Sequence, residues 1–249
     1  MPLDTPRPSA VNARMHLLDL TLPTAAENLA LDEALLLAAE DGAGEVLRLW
    51  QNPTPAVVLG AGGSVAIDVN TPACDADGVP ILRRASGGGT VVLGPGCLCF
   101  SVVLKYSRAP GLDQIPASNR YVLGRILNAV RSAAPLASVE GTSDLAVNGV
   151  KFSGNAQQRK RTHFLHHGTL LCGFDLGLVS RYLNPPERQP DYRQNRPHAA
   201  FVGNLPVGVE AMARLLVEEW RPVGEYGPVP AVRELVDEKY GREEWNRRR

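Results

Sequence analysis

Apolar positions along this chain fall into two rhythms, one helical and one alternating, with turn residues between them. Residues 28–40 are rich in Leu and Ala, and Thr24 stands three positions before Glu27. That spacing predicts a capping box and a helix over 28–40, stopped by Asp41-Gly42. Short β-branched and apolar runs then predict strands at 46–50 and 56–59, parted by Gln51-Asn52-Pro53-Thr54-Pro55, and at 81–84 and 97–104. In 118–133, Val122, Ile126, Ala129, Val130 and Ala133 recur at helical spacing, with Arg120, Arg125 and Arg131 off that stripe. The second half predicts strands at 145–151 and 164–174, the latter interrupted by His166-His167-Gly168, and helices at 209–220 and 230–240. Strands arrive in pairs joined by short turns, with helices interspersed irregularly. The fold class expected is α+β, with a mixed, mainly antiparallel sheet flanked by helices rather than strict βαβ alternation.

The chain has 249 residues, 44% hydrophobic and 21% charged, enough apolar material for one large domain and unlike a disordered chain. Residues 1–10 carry prolines and charges and nothing that would anchor to a core, so a flexible N-terminus is expected there and a single domain over 11–249. Lys+Arg and Asp+Glu are 26 each, so a domain-wide basic footprint for nucleic acid is missing. No apolar run approaches the roughly 20 residues that span a bilayer, and no signal-peptide core is present. Four cysteines, none in a C-x-x-C pair, make no disulfide framework. A soluble cytoplasmic monomer without membrane or nucleic-acid partners is the expectation. Only Lys105, Lys151, Lys160 and Lys239 among the basic residues are lysines, which singles out a lysine that a motif surrounds.

Three segments could carry chemistry. Arg83-Arg84-Ala85-Ser86-Gly87-Gly88-Gly89-Thr90 ends a strand; three glycines let a ligand approach the backbone, their N–H groups can cup an anion, and Arg84 offers a planar fork. A bare triple glycine is equally a mobile turn. It is neither a Walker A loop nor a dinucleotide fingerprint. In Gly149-Val150-Lys151-Phe152-Ser153-Gly154-Asn155-Ala156, a strand-end lysine among small residues could stabilise a phosphate or developing oxyanion, or could simply snorkel. In His166-His167-Gly168 the two rings point to opposite faces of a strand, one a core or pocket residue and the other half exposed; zinc spacing is absent. Cys97 and Cys99 share a strand face and read as core, Cys172 as buried and inert, and Cys74 as a loop residue and the most exposed thiol. No G-x-S-x-G elbow occurs.

In this order and spacing the segments resemble the lipoate–protein ligase family of the biotin/lipoate A/B protein ligases, over most of the chain. Glu27 to Leu36 looks like that family's first helix, and Leu47-Arg48-Leu49-Trp50 with Pro55 to Gly60 like its first strands. Arg83 to Val91 is similar to its lipoyl and nucleotide loop. Ser143-Asp144-Leu145, Gly149 to Ala156 and His167 to Leu171 match the second half of the site. Asn204-Leu205, Lys239-Tyr240 and Glu244-Trp245 resemble the end of the catalytic domain. The resemblance implies a fold like biotin synthetase and class II aminoacyl-tRNA synthetases. It also implies ATP- and Mg²⁺-dependent activation of lipoate or octanoate to an acyl-adenylate, then transfer to a lysine of an acceptor lipoyl domain. By the match, Lys151 would be the catalytic cation. Arg84, Ser86, Gly87, Gly88, Gly89 and Thr90 would hold acyl and phosphate groups, with Ser153, Gly154, Ala156, His167 and Gly168 lining the same cleft. Asp144 would sit near Mg²⁺ or the nucleotide.

Departures accompany the match. Leu93-Gly94-Pro95-Gly96 replaces a His-Asp pair, Ser143-Asp144 replaces Asn-Asp, and residues 184–196 carry no lysine where ligases often have an adenylate loop. Little chain follows Trp245, so no C-terminal accessory domain is expected, and activation could draw on a small separate accessory subunit. Two other readings stand beside the ligase. One is an ATP-independent octanoyltransferase working from acyl carrier protein through a thiol such as Cys172 or Cys74, although Leu183-Asn184-Pro185 is followed by Pro186 where one transferase branch has its cysteine. The other is a non-catalytic subunit of a split ligase.

Overall fold

A computed structural model describes residues 14–249; the expected flexible N-terminus at 1–10 lies outside them. In chain order the strands are β1 (Met15–Asp19), β2 (Glu45–Gln51), β3 (Ala56–Leu59), β4 (Ile81–Arg83), β5 (Val91–Leu93), β6 (Cys97–Lys105), β7 (Ala137–Glu140), β8 (Asp144–Val147), β9 (Val150–Ser153), β10 (Asn155–Arg159) and β11 (His163–Leu171). The helices are α1 (Ala25–Glu40), α2 (Val65–Asp68), α3 (Thr71–Asp77), α4 (Ile115–Val130), α5 (Gly177–Tyr182), α6 (His198–Phe201) and α7 (Val209–Trp220). Short helical turns cover 233–246.

Three sheets result. A five-stranded sheet has the order β1-β2-β6-β11-β10, and three-stranded sheets run β4-β3-β5 and β7-β8-β9. Only β1–β2 and β3–β4 pair in parallel; the other ladders are antiparallel. The α+β, mainly antiparallel expectation therefore stands, divided over three sheets.

α1 begins as its sequence dictates. Thr24 Oγ1 accepts from Glu27 N at 3.2 Å and the Glu27 carboxylate accepts from Thr24 N at 2.9 Å, a reciprocal cap that stabilises the first turn by about 1 kcal/mol. The helix is apolar almost all round because it is buried almost all round, from Asn28 to Leu36. It packs on the five-stranded sheet, whose central strands β2 and β6 are covered on both faces. On the other side Val122, Ile126 and Val130 of α4 and Met212, Leu216 and Trp220 of α7 close the largest core.

Four sequence expectations change. The strand expected at 145–151 is a hairpin of β8 and β9, because Asn148-Gly149 adopts φ of 51° and 75°, the left-handed pair that a two-residue turn requires. The strand expected at 164–174 is uninterrupted through His166-His167-Gly168, and ends at Leu171. A side chain at Gly168 would place its Cβ 2.0 Å from Asn155 Oδ1, so the glycine serves the close β10–β11 contact. α4 starts three residues earlier than Ser118, since Pro116 fits the first turn where no N–H is needed. Cys74 is no exposed loop thiol: it lies in α3, fully buried against the core.

Candidate active site

The glycine loop, the β8–β9 hairpin and the middle of β11 converge on a cavity of about 170 Å³. Its wall is divided by chemistry. Polar side chains on it include Asp32, Ser143, Asp144, Lys151 and Asn155; apolar ones include Leu29, Trp50, Val58, Leu93 and Phe100, with Cys99 beside them. Of the residues singled out by sequence, Arg84, Gly88, Gly89, Thr90, Asp144, Lys151, Gly154, Ala156, His167 and Gly168 border this space. Ser86 and Gly87 are not on the wall, and Ser86 is buried. Ser153 borders a neighbouring cavity of about 120 Å³ that shares Lys151, Gly154 and Thr90 with the first.

Lys151 owes its position to the hairpin. β9 carries it next to β8, where its Nζ lies 2.8 Å from Asp144 Oδ1. Gly154 leaves the room, since a Cβ there would be 3.2 Å from Lys151 Cε and Nζ. The Lys151 side chain is one-quarter exposed, so it is paired without being sealed off from solvent. Tyr192, from the lysine-free segment after α5, donates its hydroxyl to Asp144 Oδ2 at 2.8 Å. Burial, together with the Asp144 carboxylate, pushes the Tyr192 phenol up, which keeps it a donor at neutral pH. Arg196 of the same segment donates to Gly149 O at 2.8 Å, and Gly203 N donates to Lys151 O at 2.9 Å. The segment straps the hairpin from both sides.

The glycine loop is built from below. Gly60 lies so close that a Cβ on it would fall 2.0 Å from Gly88 O. Gly87 and Gly89 face open space with nothing within 4 Å of a would-be Cβ, leaving their backbone free for a ligand to approach. Arg84 does not present a free fork. Its Nε donates to Ser86 Oγ at 3.0 Å and its Nη2 to Gly87 O and Gly89 O at 2.6 and 2.8 Å. Burial pulls this guanidinium down to about 10, and its donors hold the loop in shape. Arg83 is the lower clamp, bonded to Gly60 O, Gly63 O and Asn246 O, while Trp245 Nε1 donates back to Arg83 O.

Both ring nitrogens of His167 are engaged. Nε2 lies 2.6 Å from Ser86 Oγ and Nδ1 3.1 Å from Asp32 Oδ2. His167 therefore offers the cavity its ring face and no hydrogen bond. Its neighbour His166 is the core histidine, fully buried, and burial pulls it down to about 3. Asp32 also binds Arg48 Nη1 at 2.6 Å and Ser101 Oγ at 2.8 Å. Burial alone would raise its carboxyl, but Arg48, His167 and Ser101 outweigh that and hold it below the ordinary value.

Sequence reading missed Asp32, Asn155 and Tyr192. A signal for Asp32 existed: a carboxylate in an otherwise apolar helical run must be paired once buried. Tyr192 carried none beyond its place in the lysine-free segment. All four cysteines are free and buried. Cys99 touches the cavity, yet burial drives its thiol well up, and burial pushes Cys172 up to about 12. Among the described residues no cluster of His, Cys, Asp and Glu could hold a metal by itself, and no helix is long and apolar enough to cross a membrane.

A mainly antiparallel α+β domain whose glycine loop and strand lysine border one cavity with polar and apolar lining defines a class of small-molecule-binding site. The chain belongs to the lipoyl protein ligase A/B catalytic domain family, whose model matches residues 24–219. A curated relative, the probable lipoate-protein ligase A of Mycoplasma pneumoniae, is 35% identical over 158 residues, 63% of this chain and 45% of that protein. The chain thus spans about half the length of the curated relatives it matches. Among solved structures, the bi-partite lipoate protein ligase studied with its E2 lipoyl domain from Thermoplasma acidophilum superposes with a TM-score of 0.80 at 25% identity, covering 94% of this chain and 96% of that one. A lipoate-protein ligase A bound with ATP shares the fold, with a TM-score of 0.76 at 23% identity over 94% of this chain and 98% of that one.

Proposed function

We propose that this chain is the catalytic domain of a lipoate–protein ligase. It activates lipoate or octanoate with ATP and passes the acyl group to a lysine of an acceptor lipoyl domain. One observation carries the reading: Lys151 shares a single cavity with Gly88 and Gly89 of the glycine loop and with the apolar side chains of Leu29, Trp50 and Phe100. An aliphatic tail packs on Leu29, Trp50 and Phe100, and its carboxylate pairs with Lys151 on the same wall. The carboxylate oxygen attacks the α-phosphorus of ATP, the bond to the leaving pyrophosphate breaks, and an acyl-adenylate remains. The acceptor's amine then attacks the acyl carbon, AMP leaves, and the amine's proton is lost to solvent. Lys151 stabilises charge on the carboxylate and α-phosphoryl oxygens, and the backbone at Gly87 and Gly89 cups phosphate.

If Mg²⁺ accompanies ATP, Asp144, a carboxylate on the cavity wall, would hold it, a single carboxylate being the protein contribution usual for this ion. It would supply charge neutralisation along the phosphates. The similar Thermoplasma ligase is bi-partite, which supports an acceptor lipoyl domain and a separate accessory subunit as partners here. A monomeric catalytic chain in the cytoplasm completes the reading. The burial of all four cysteines and the raised thiols of Cys99 and Cys172 favour this chemistry over a thiol relay from acyl carrier protein. Incubating the chain with ATP, Mg²⁺, lipoate and a lipoyl domain should add one lipoyl mass to that domain's lysine. Transfer that proceeds equally well without ATP, from an acyl thioester, would sink the proposal.

A further inference from the structure

Ser86, His167 and Asp32 stand in the spacing of a hydrolase triad, with 2.6 Å from Oγ to Nε2 and 3.1 Å from Nδ1 to the carboxylate. The environment gives the arrangement a different task. Ser86 is 2% exposed and does not border the cavity, so its oxygen cannot reach an acyl carbon there. It lies instead between the ring of His167 and the guanidinium of Arg84.

The direction of each proton follows from counting donors. Arg84 Nε–H can only donate, so Ser86 Oγ accepts from it at 3.0 Å. The remaining partner of Ser86 is His167 Nε2. If that nitrogen carried hydrogen, Ser86 would accept twice and its own hydroxyl proton would be buried without an acceptor, which folded proteins avoid. Ser86 therefore donates to a bare Nε2, and the ring's hydrogen sits on Nδ1, pointing at Asp32. Asp32 accepts it as it accepts from Arg48 and Ser101, from three strands of the sheet at once.

We propose that Asp32 is a positioning residue for the glycine loop: by fixing the tautomer of His167 it fixes Ser86, and through Ser86 the seat of Arg84 beneath Gly87 and Gly89. The chain of contacts runs from β2 and β6 through α1 and β11 into the loop. Arg84 Nη2 holds two loop carbonyls at its end. Exchanging the carboxylate for an amide (Asp32→Asn) reverses it, because the amide nitrogen can donate to Nδ1 and drive hydrogen onto Nε2, the effect of an Asp-to-Asn change in a serine-protease triad. Ser86 would then face two donors, and Arg84 would lose its place. The kinetic consequence rests on the ligase reading above; the tautomer does not.

The test is ¹⁵N NMR of the full chain with labelled histidine, in which five rings are to be resolved and His167 is assigned with a His167→Gln variant. The wild-type ring should carry hydrogen on Nδ1 and a bare Nε2 at neutral pH; hydrogen on Nε2 overturns the proposal, whatever the chain's activity. Asp32→Asn should move hydrogen to Nε2 and lower acyl-adenylate formation about tenfold, the order of one lost charged hydrogen bond, mainly in kcat. If Asp32→Asn does not fold, Ser86→Ala takes its place: it should keep hydrogen on Nδ1 and show the same loss, and full activity in that variant contradicts the relay. A fluorophosphonate probe should leave Ser86 unlabelled; a covalent adduct there would make it a nucleophile and overturn the positioning role. A wild-type chain that forms no acyl-adenylate refutes the ligase reading, while the ring's tautomer still decides this one.

Discussion

Lys151 and Asp144 meet at 2.8 Å across the β8–β9 hairpin, each served by a neighbour: Gly154 makes room for the lysine by lacking a side chain, and Tyr192 donates to the far carboxylate oxygen. Replacing Lys151 with Ala should lower acyl-adenylate formation at least about 100-fold, the scale of losing one electrostatic stabiliser of a developing oxyanion. The melting temperature should barely move, because a part-exposed ion pair contributes little to stability. Steady-state rates beside a thermal melt check both halves.

Tyr192→Phe keeps the ring against Phe201, with centroids 5.2 Å apart, and deletes only the hydroxyl. Loss of one hydrogen bond to a carboxylate corresponds to about 1.5–3 kcal/mol, or about tenfold or more in rate. The loss should appear with ATP varied, since Asp144 is the carboxylate proposed to meet the nucleotide and its ion. An unchanged dependence on both ATP and Mg²⁺ would show that the strap is structural alone.

Gly60→Ala is expected to be worse than its small size suggests. Its Cβ would fall 2.0 Å from Gly88 O, a backbone atom that cannot swing aside. Overpacking of this kind costs about 1–3 kcal/mol. Because the strain falls on the glycine loop, activity should drop more than stability. Gly62→Ala, with nothing within 4 Å of its Cβ, is the matched control, measured by the same melt and rate.

Much of this is legible in the sequence, for identifiable reasons. α1 declares itself through Thr24 and Glu27, β3 through an unbroken apolar run, and β6 through a run broken only by Ser101, because local chemistry and tertiary burial agree there. The Asn148-Gly149 hairpin is equally local, yet apolar residues on both sides mask it as one strand. Cys74 is not legible because its burial is decided by what packs over it; Asp32 left a signal in a Leu- and Ala-rich helix, but its partner Arg48 comes from β2 and is not local to it. The motif around Arg84 places it at the site, but nothing in the sequence tells that its fork turns inward to the loop's own carbonyls.

Acid should unfold the protein partly through Glu40. Burial would raise this carboxyl, but hydrogen bonds from Thr162 N and Oγ1 and from His163 N outweigh it and hold it at about 2. A carboxyl lowered in the folded state contributes stability that is complete above its unfolded value, about 4.3, and is lost as pH falls toward about 2. The stability gap between wild type and Glu40→Gln should therefore be full at pH 7 and close across that window in urea melts. A gap independent of pH would contradict it.

The most direct test of the central claim is product analysis of the purified chain given ATP, Mg²⁺ and lipoate or octanoate. Acyl-AMP and pyrophosphate should appear in equal amounts in the wild type and vanish in Lys151→Ala. Equal yields from that variant, or an acyl group found on a cysteine after incubation with octanoyl-acyl carrier protein and no ATP, would contradict the account.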